Sequence, residues 1–153
     1  LEIGTSCGKS LASAVFHSSE GVIFYTCDVV DSEDPIIHAN GKLTRKEFFE
    51  REGLDKVATF ILGDSKEIAK TWDKGELSMI FIDGDHSYEA VKADILAWTP
   101  HLKSGGFILF HDYAIPTFGV RQAVNEIIGG SVWYKDFFTN LNQGCSIAGA
   151  TKI

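Results

Sequence analysis

Apolar runs of strand length alternate with segments of helical period along this chain. In order they are "LEIG", a helix from about Gly8, "GVIFYTCDVV", a long polar connection and a short helix near Arg45 to Glu52. "VATFILGD" follows, then a helix from Ser65, "LSMIFIDGD", a helix from about Ser87 to Leu102, "GGFILFHDY" and a helix from about Phe118 to Ile128. Val91, Ile95, Trp98 and Leu102 lie on one face of a 3.6-residue period, so that helix is expected to pack on a sheet. The strands read as unbroken apolar runs, the pattern of a parallel sheet covered by helices on both faces.

The ending departs from this alternation. "SVWYKDFF" and "CSIAGATKI" are joined only by "TNLNQG", too short for a crossover helix, and are expected to form an antiparallel hairpin at one edge. The aromatics Trp133, Tyr134, Phe137 and Phe138 are read as hairpin core in preference to a wall for a substrate. The expected fold class is therefore α/β, a doubly wound, mostly parallel sheet with a C-terminal antiparallel hairpin.

Length and charge narrow the partners. A chain of 153 residues fits one domain, residues 1–153, which would bury roughly 70% of its unfolded surface. It opens on "LEIG", which reads as the end of a buried strand and leads us to expect a domain truncated at its N-terminus. A formal net charge of -7, with no cluster of Lys and Arg interleaved with aromatics, argues against a nucleic-acid partner. No run of eighteen apolar residues points to a membrane. Cys7, Cys27 and Cys145 are odd in number and lack metal-type pair spacing, as for reduced thiols of a cytoplasmic protein.

In an open sheet of this kind ligands bind beyond the carboxyl ends of the strands. Those tips carry Gly4, Asp28, Gly63-Asp64, Asp83-Gly84-Asp85-His86 and His111-Asp112. "GTSCGKS" invites a phosphate-loop reading, with "MIFIDG" as the magnesium-binding strand. That loop needs four residues between its glycine and Gly-Lys-Ser, and here there are three, with Glu2 set against a polyphosphate. Nor is it the G-x-G-x-x-G turn, because position 6 is serine. Asp28 can accept both hydroxyls of a ribose, or cap a turn. Asp64-Ser65 can cap the next helix or contact an adenine edge.

Taken in order, "LEIGTSCGKS", "CDVV", "ILGDSKEI", "FIDGDHSYEAV" and "GGFILFHDY" resemble the class I S-adenosylmethionine-dependent methyltransferases, whose sheet is Rossmann-like. The nearest likeness is to the metal-dependent O-methyltransferases of the catechol type and the related macrocin-type sugar and antibiotic methyltransferases. The resemblance implies that Glu2, Gly4 and Gly8 shape the methionine pocket, with Thr5 and Ser6 in the same turn and Ser10 near the cofactor carboxylate. Asp28 would hold the ribose, and Asp64 and Ser65 the adenine side. Asp83 would border the cofactor and, with His111 and Asp112, hold a divalent cation. His86 would act as general base with Asp83 beside it.

His111 stands where the catechol-type pattern has a carboxylate. That makes the donor set softer and leaves magnesium and a transition metal both open. Asp112 as sole ligand with His111 as base, or Asp85 joining the metal, are alternatives. His17, His38 and His101 are given no role. The expected activity is metal-assisted O-methylation of a small-molecule hydroxyl by a cytoplasmic enzyme, with a homodimer as the oligomeric expectation. The competing readings are a cephalosporin-hydroxylase-like enzyme on the same fold and a non-catalytic cofactor-binding module.

Overall fold

A computed structural model describes residues 1–30, 36–38, 41–141 and 146–153. Seven strands form one sheet in the order β5-β2-β1-β6-β7-β9-β8. They are β1 (Glu2–Ile3), β2 (Phe24–Asp28), β5 (Ala58–Leu62), β6 (Leu77–Ile82), β7 (Leu102–His111), β8 (Tyr134–Asn140) and β9 (Ile147–Lys152). Pairs among β5, β2, β1, β6 and β7 are parallel, while β9 runs antiparallel to both β7 and β8. The expected sheet and its antiparallel edge are thus both present. The strand order reverses between β1 and β6, which opens a crevice at their carboxyl ends.

The helices are α1 (Lys9–Phe16), α2 (Arg45–Glu52), α3 (Ser65–Lys70), α4 (Tyr88–Trp98) and α5 (Val120–Ile127). Their starts follow from side chains in the sequence. Thr44 and Glu47 form a reciprocal capping box on α2, and Asp64 accepts from the Lys66 amide at 2.9 Å to open α3. Ser87 accepts from the Ala90 amide at 3.3 Å to open α4. That helix stops at Trp98, short of the expected Leu102. Pro100 offers no N–H to the preceding turn, so a 3-10 turn over Thr99–His101 leads straight into β7.

Two apolar cores flank the sheet. Val91, Ile95 and Trp98 of α4 pack with Ile80, Ile108 and Phe110, together with Ala69 of α3 and Val120 and Val124 of α5. Each such fully buried side chain contributes about 1.5–3 kcal/mol. The second core joins Leu11 and Ala12 of α1 to Phe48, Phe49 and Leu54.

Two details differ from the sequence reading. The stretch read as a polar connection contains a small antiparallel pair, β3 (Ile36–His38) with β4 (Gly41–Leu43). Trp133, Phe137 and Phe138 are exposed rather than core, because β8 is the sheet's edge strand; only Tyr134 packs inward, hydrogen-bonding Thr99 at 2.7 Å. Met79 and Phe107 also stand exposed on the sheet. Cys145 and part of the "TNLNQG" connection lie outside the described residues. No described helix is long and apolar enough to cross a membrane.

Candidate functional site

The turn after β1 begins at Gly4, with φ 91°. A Cβ there would lie 2.2 Å from the backbone oxygen of Asp83, so the close passage of this turn over the tip of β6 requires glycine. Ser6 also has positive φ, at 43°, and its amide donates to Asp28 Oδ2 at 2.9 Å. Asp28 Oδ1 accepts from the Val30 amide at 3.1 Å. Both carboxylate oxygens are therefore oriented by backbone, and each keeps a second acceptor position for a ligand.

Beneath the turn lies Glu2, buried in the sheet. It accepts hydrogen bonds from the hydroxyls of Ser10 and, at 2.7 Å, Thr26; Thr26 in turn meets Thr5 at 2.7 Å. Burial pushes the Glu2 carboxyl above the usual range, and the two hydroxyl donors pull it back.

A cleft of about 390 Å³ opens at the β1/β6 reversal. It is lined by Gly4, Ser6, Asp28, Asp64, Ser65 and Asp83 from the expected cofactor set. Glu2, Thr5, Gly8 and Ser10 do not line it; Glu2, Thr5 and Ser10 form the hydrogen-bonded floor under the turn, and Gly8 gives α1 its left-handed entry beside Phe49. Cys27, Lys66, Asp85 and Asp94 also line the cleft and were not singled out as cofactor contacts from the sequence. Burial pushes the Cys27 thiol up to about 12, so it is no nucleophile. Asp94 had a readable signal: it is a carboxylate on the apolar face that carries Val91, Ile95 and Trp98.

Next to the cleft, the tips of β6 and β7 bring four polar side chains together. His111 Nδ1 lies 3.0 Å from Asp83 Oδ1 and 3.2 Å from Asp112 Oδ1. His86 Nε2 is 3.3 Å from Asp83 Oδ1 and 3.7 Å from Asp112 Oδ2. Asp112 has φ 54°, a left-handed turn that swings its carboxylate back toward β6. Burial pushes the Asp83 carboxyl up, opposed by the neighbouring His111 and His86. The His86 ring stacks on Phe118 at 4.7 Å between centroids, and its carbonyl accepts from the Gly119 amide at 2.8 Å. Asp85 turns away to accept from the Ser87 amide at 2.8 Å, at the start of α4.

One donor atom each from Asp83, His86 and His111 lie within 4.8 Å of one another. Donors around a divalent ion at about 2.1 Å stand roughly 3.0–3.4 Å apart in octahedral or tetrahedral sites. The spacings of His111 Nδ1 to Asp83 and to Asp112, 3.0 and 3.2 Å, fit that arrangement.

A family model described as a methyltransferase domain matches residues 1–113. The chain belongs to this methyltransferase family. It is similar, at 31% identity over 99 residues, to the 8-demethyl-8-(2,3-dimethoxy-alpha-L-rhamnosyl)-tetracenomycin-C 4'-O-methyltransferase of Streptomyces olivaceus. That match takes in 57% of this chain but only 38% of the relative. Among solved structures, an O-methyltransferase from Bacillus cereus in complex with SAH superposes with a TM-score of 0.74 at 18% identity, over 99% of this chain and 72% of that one. The O-methyltransferase TomG of Streptomyces achromogenes, in complex with SAM, gives 0.74 at 14% identity over the same shares. At these identities the structural likeness establishes the Rossmann-like methyltransferase fold.

Proposed function

We propose that this chain is one S-adenosylmethionine-binding domain that transfers the cofactor's methyl group to a hydroxyl of a small molecule, assisted by a divalent cation. One observation carries the reading: the ligand cleft and the Asp83-His86-His111-Asp112 cluster share a wall at Asp83. On this reading donor and acceptor sites would be adjacent across a single residue. The cradle fits the cofactor in its chemistry, since Asp28 offers two fixed acceptors for a diol.

The bound sulfonium supplies an activated methyl group. The chain's own contribution is positioning, worth as much as about 7–11 kcal/mol when reacting atoms are held in line. Asp83, His111 and Asp112 are the residues that would hold a cation, which when bound lowers the pKa of an acceptor hydroxyl. His86, whose ring stacks on Phe118, would take the hydroxyl proton at Nε2.

Calorimetry with S-adenosylhomocysteine, with and without divalent cation, tests the first half. Transfer of labelled methyl from the cofactor to candidate hydroxyl acceptors tests the second. No binding in either condition would overturn the proposal.

A second reading is favoured by the donor set alone. Two imidazoles and one carboxylate with open positions suit non-haem iron and oxygen chemistry, as expected of a cephalosporin-hydroxylase-like enzyme. Oxygen consumption that needs ferrous iron, without methyl transfer, would decide for it.

A further inference from the structure

The cleft contains one buried charge that the proposed chemistry does not use. Asp94 is 4% exposed, sits in the middle of α4 and lines the cleft beside Ala90 and Ser65. Every other inward residue on that helix face is apolar, and a carboxylate held there costs several kcal/mol unless it is compensated. Its Oδ1 accepts from the Ser65 hydroxyl, while Oδ2 receives no hydrogen bond from any described residue.

A structural explanation is available elsewhere and leaves Asp94 unused. The N-terminus of α3 is already capped by Asp64, which accepts from the amides of Lys66 and Glu67 at 2.9 and 3.4 Å. Lys66 pairs with Asp64 at 2.8 Å rather than with Asp94. Asp94 is therefore neither a cap nor half of an ion pair. Burial raises its carboxyl above the ordinary range, with Ser65 and Lys66 opposing.

Ser65 fixes the polarity of this group. Its single hydroxyl proton goes to Oδ1, so Ser65 cannot also donate to a ligand, and the second oxygen of Asp94, a residue that lines the cleft, is left as an acceptor. We propose that Asp94, oriented by Ser65, determines which base the cleft admits, by accepting the exocyclic amine of a 6-aminopurine. This rests on the cofactor reading above and deepens it. A 6-oxopurine would bring a carbonyl oxygen against the Asp94 oxygen, and the cleft should reject it.

The test compares two ligands that differ at the purine 6-position and in the N1 proton that goes with it, S-adenosylhomocysteine and S-inosylhomocysteine, by calorimetry on the whole chain. The native protein should prefer the adenosyl compound by at least about tenfold, the scale on which unpaired buried polar groups discriminate. Asp94→Asn keeps the shape but, with its oxygen still held by Ser65, turns an amide N–H toward the ligand. The preference should then fall at least about tenfold or reverse toward the inosyl compound. Asp94→Ala removes the polar group and should bring the ratio near one.

Equal weakening of both ligands in Asp94→Asn and Asp94→Ala would mean a structural role and overturn the inference. So would a native protein that binds both equally. If the native chain binds neither compound, the cofactor reading falls and takes this inference with it. Binding without discrimination removes only the inference.

Discussion

The two sides of the β1/β6 reversal treat their polar groups in opposite ways. On the β1/β2 side the carboxylates are committed: Glu2 to two hydroxyls and Asp28 to two backbone amides. On the β6/β7 side Asp83, His86, His111 and Asp112 face chiefly one another at 3.0 to 3.7 Å. The first arrangement ties the acids of the cradle to the protein's own donors. The second holds two carboxylates and two imidazoles close enough that a cation or an exchangeable proton would stabilise them.

The strongest break in the cradle is Gly4→Ala. Its Cβ would meet Asp83 O at 2.2 Å in a backbone with φ 91°, so we expect a loss of about 3 kcal/mol or more in stability, read by denaturant titration. On the reactive side Asp83→Ala should lower methyl-transfer rate by about 10²–10⁴-fold and cation affinity by a similar order, read by labelled transfer and metal calorimetry. Its effect on stability should be small or favourable, because burial disfavours the charge it removes. Asp28→Ala should weaken S-adenosylhomocysteine about 10–100-fold by calorimetry while leaving cation affinity unchanged. A matching loss of cation affinity would show that the two sides are not separable.

A smaller effect concerns pH. Burial raises Glu2 and Asp94 in the folded state above the roughly 4 of unfolded carboxylates. The native state then binds more protons than the unfolded one, so the stability these groups contribute is full below pH about 4 and is lost as pH rises through their folded values. Melting curves between pH 4 and 7 should show Glu2→Gln flattening that fall. The least effect is expected in the turn just before the edge strand, where Trp133→Ser at an exposed position should shift stability by no more than about 0.5 kcal/mol.

Much of this organisation was legible in the sequence. The alternation gave the sheet, and the strand-tip residues Gly4, Asp28, Asp64 and Asp83 did come to line one cleft. What was not legible depended on partners far apart in the chain. That Ser10 turns into the floor could not be read without knowing that Glu2 sits beneath it. The exposure of Trp133 and Phe138 required knowing that β8 is the outermost strand. Asp94 could have been found, since a charge on the apolar stripe of α4 breaks the period that predicted the helix.

Gly4 has one more consequence. The turn that carries it touches the Asp83 backbone directly, with no side chain between. The separation between the two sides of the site is therefore set by peptide against peptide, the stiffest contact a protein can make. Under the proposed function, residues around the cleft could be exchanged to suit different acceptors while the span between its two sides keeps the same length, as a fixed gauge keeps its spacing while the tools around it are changed.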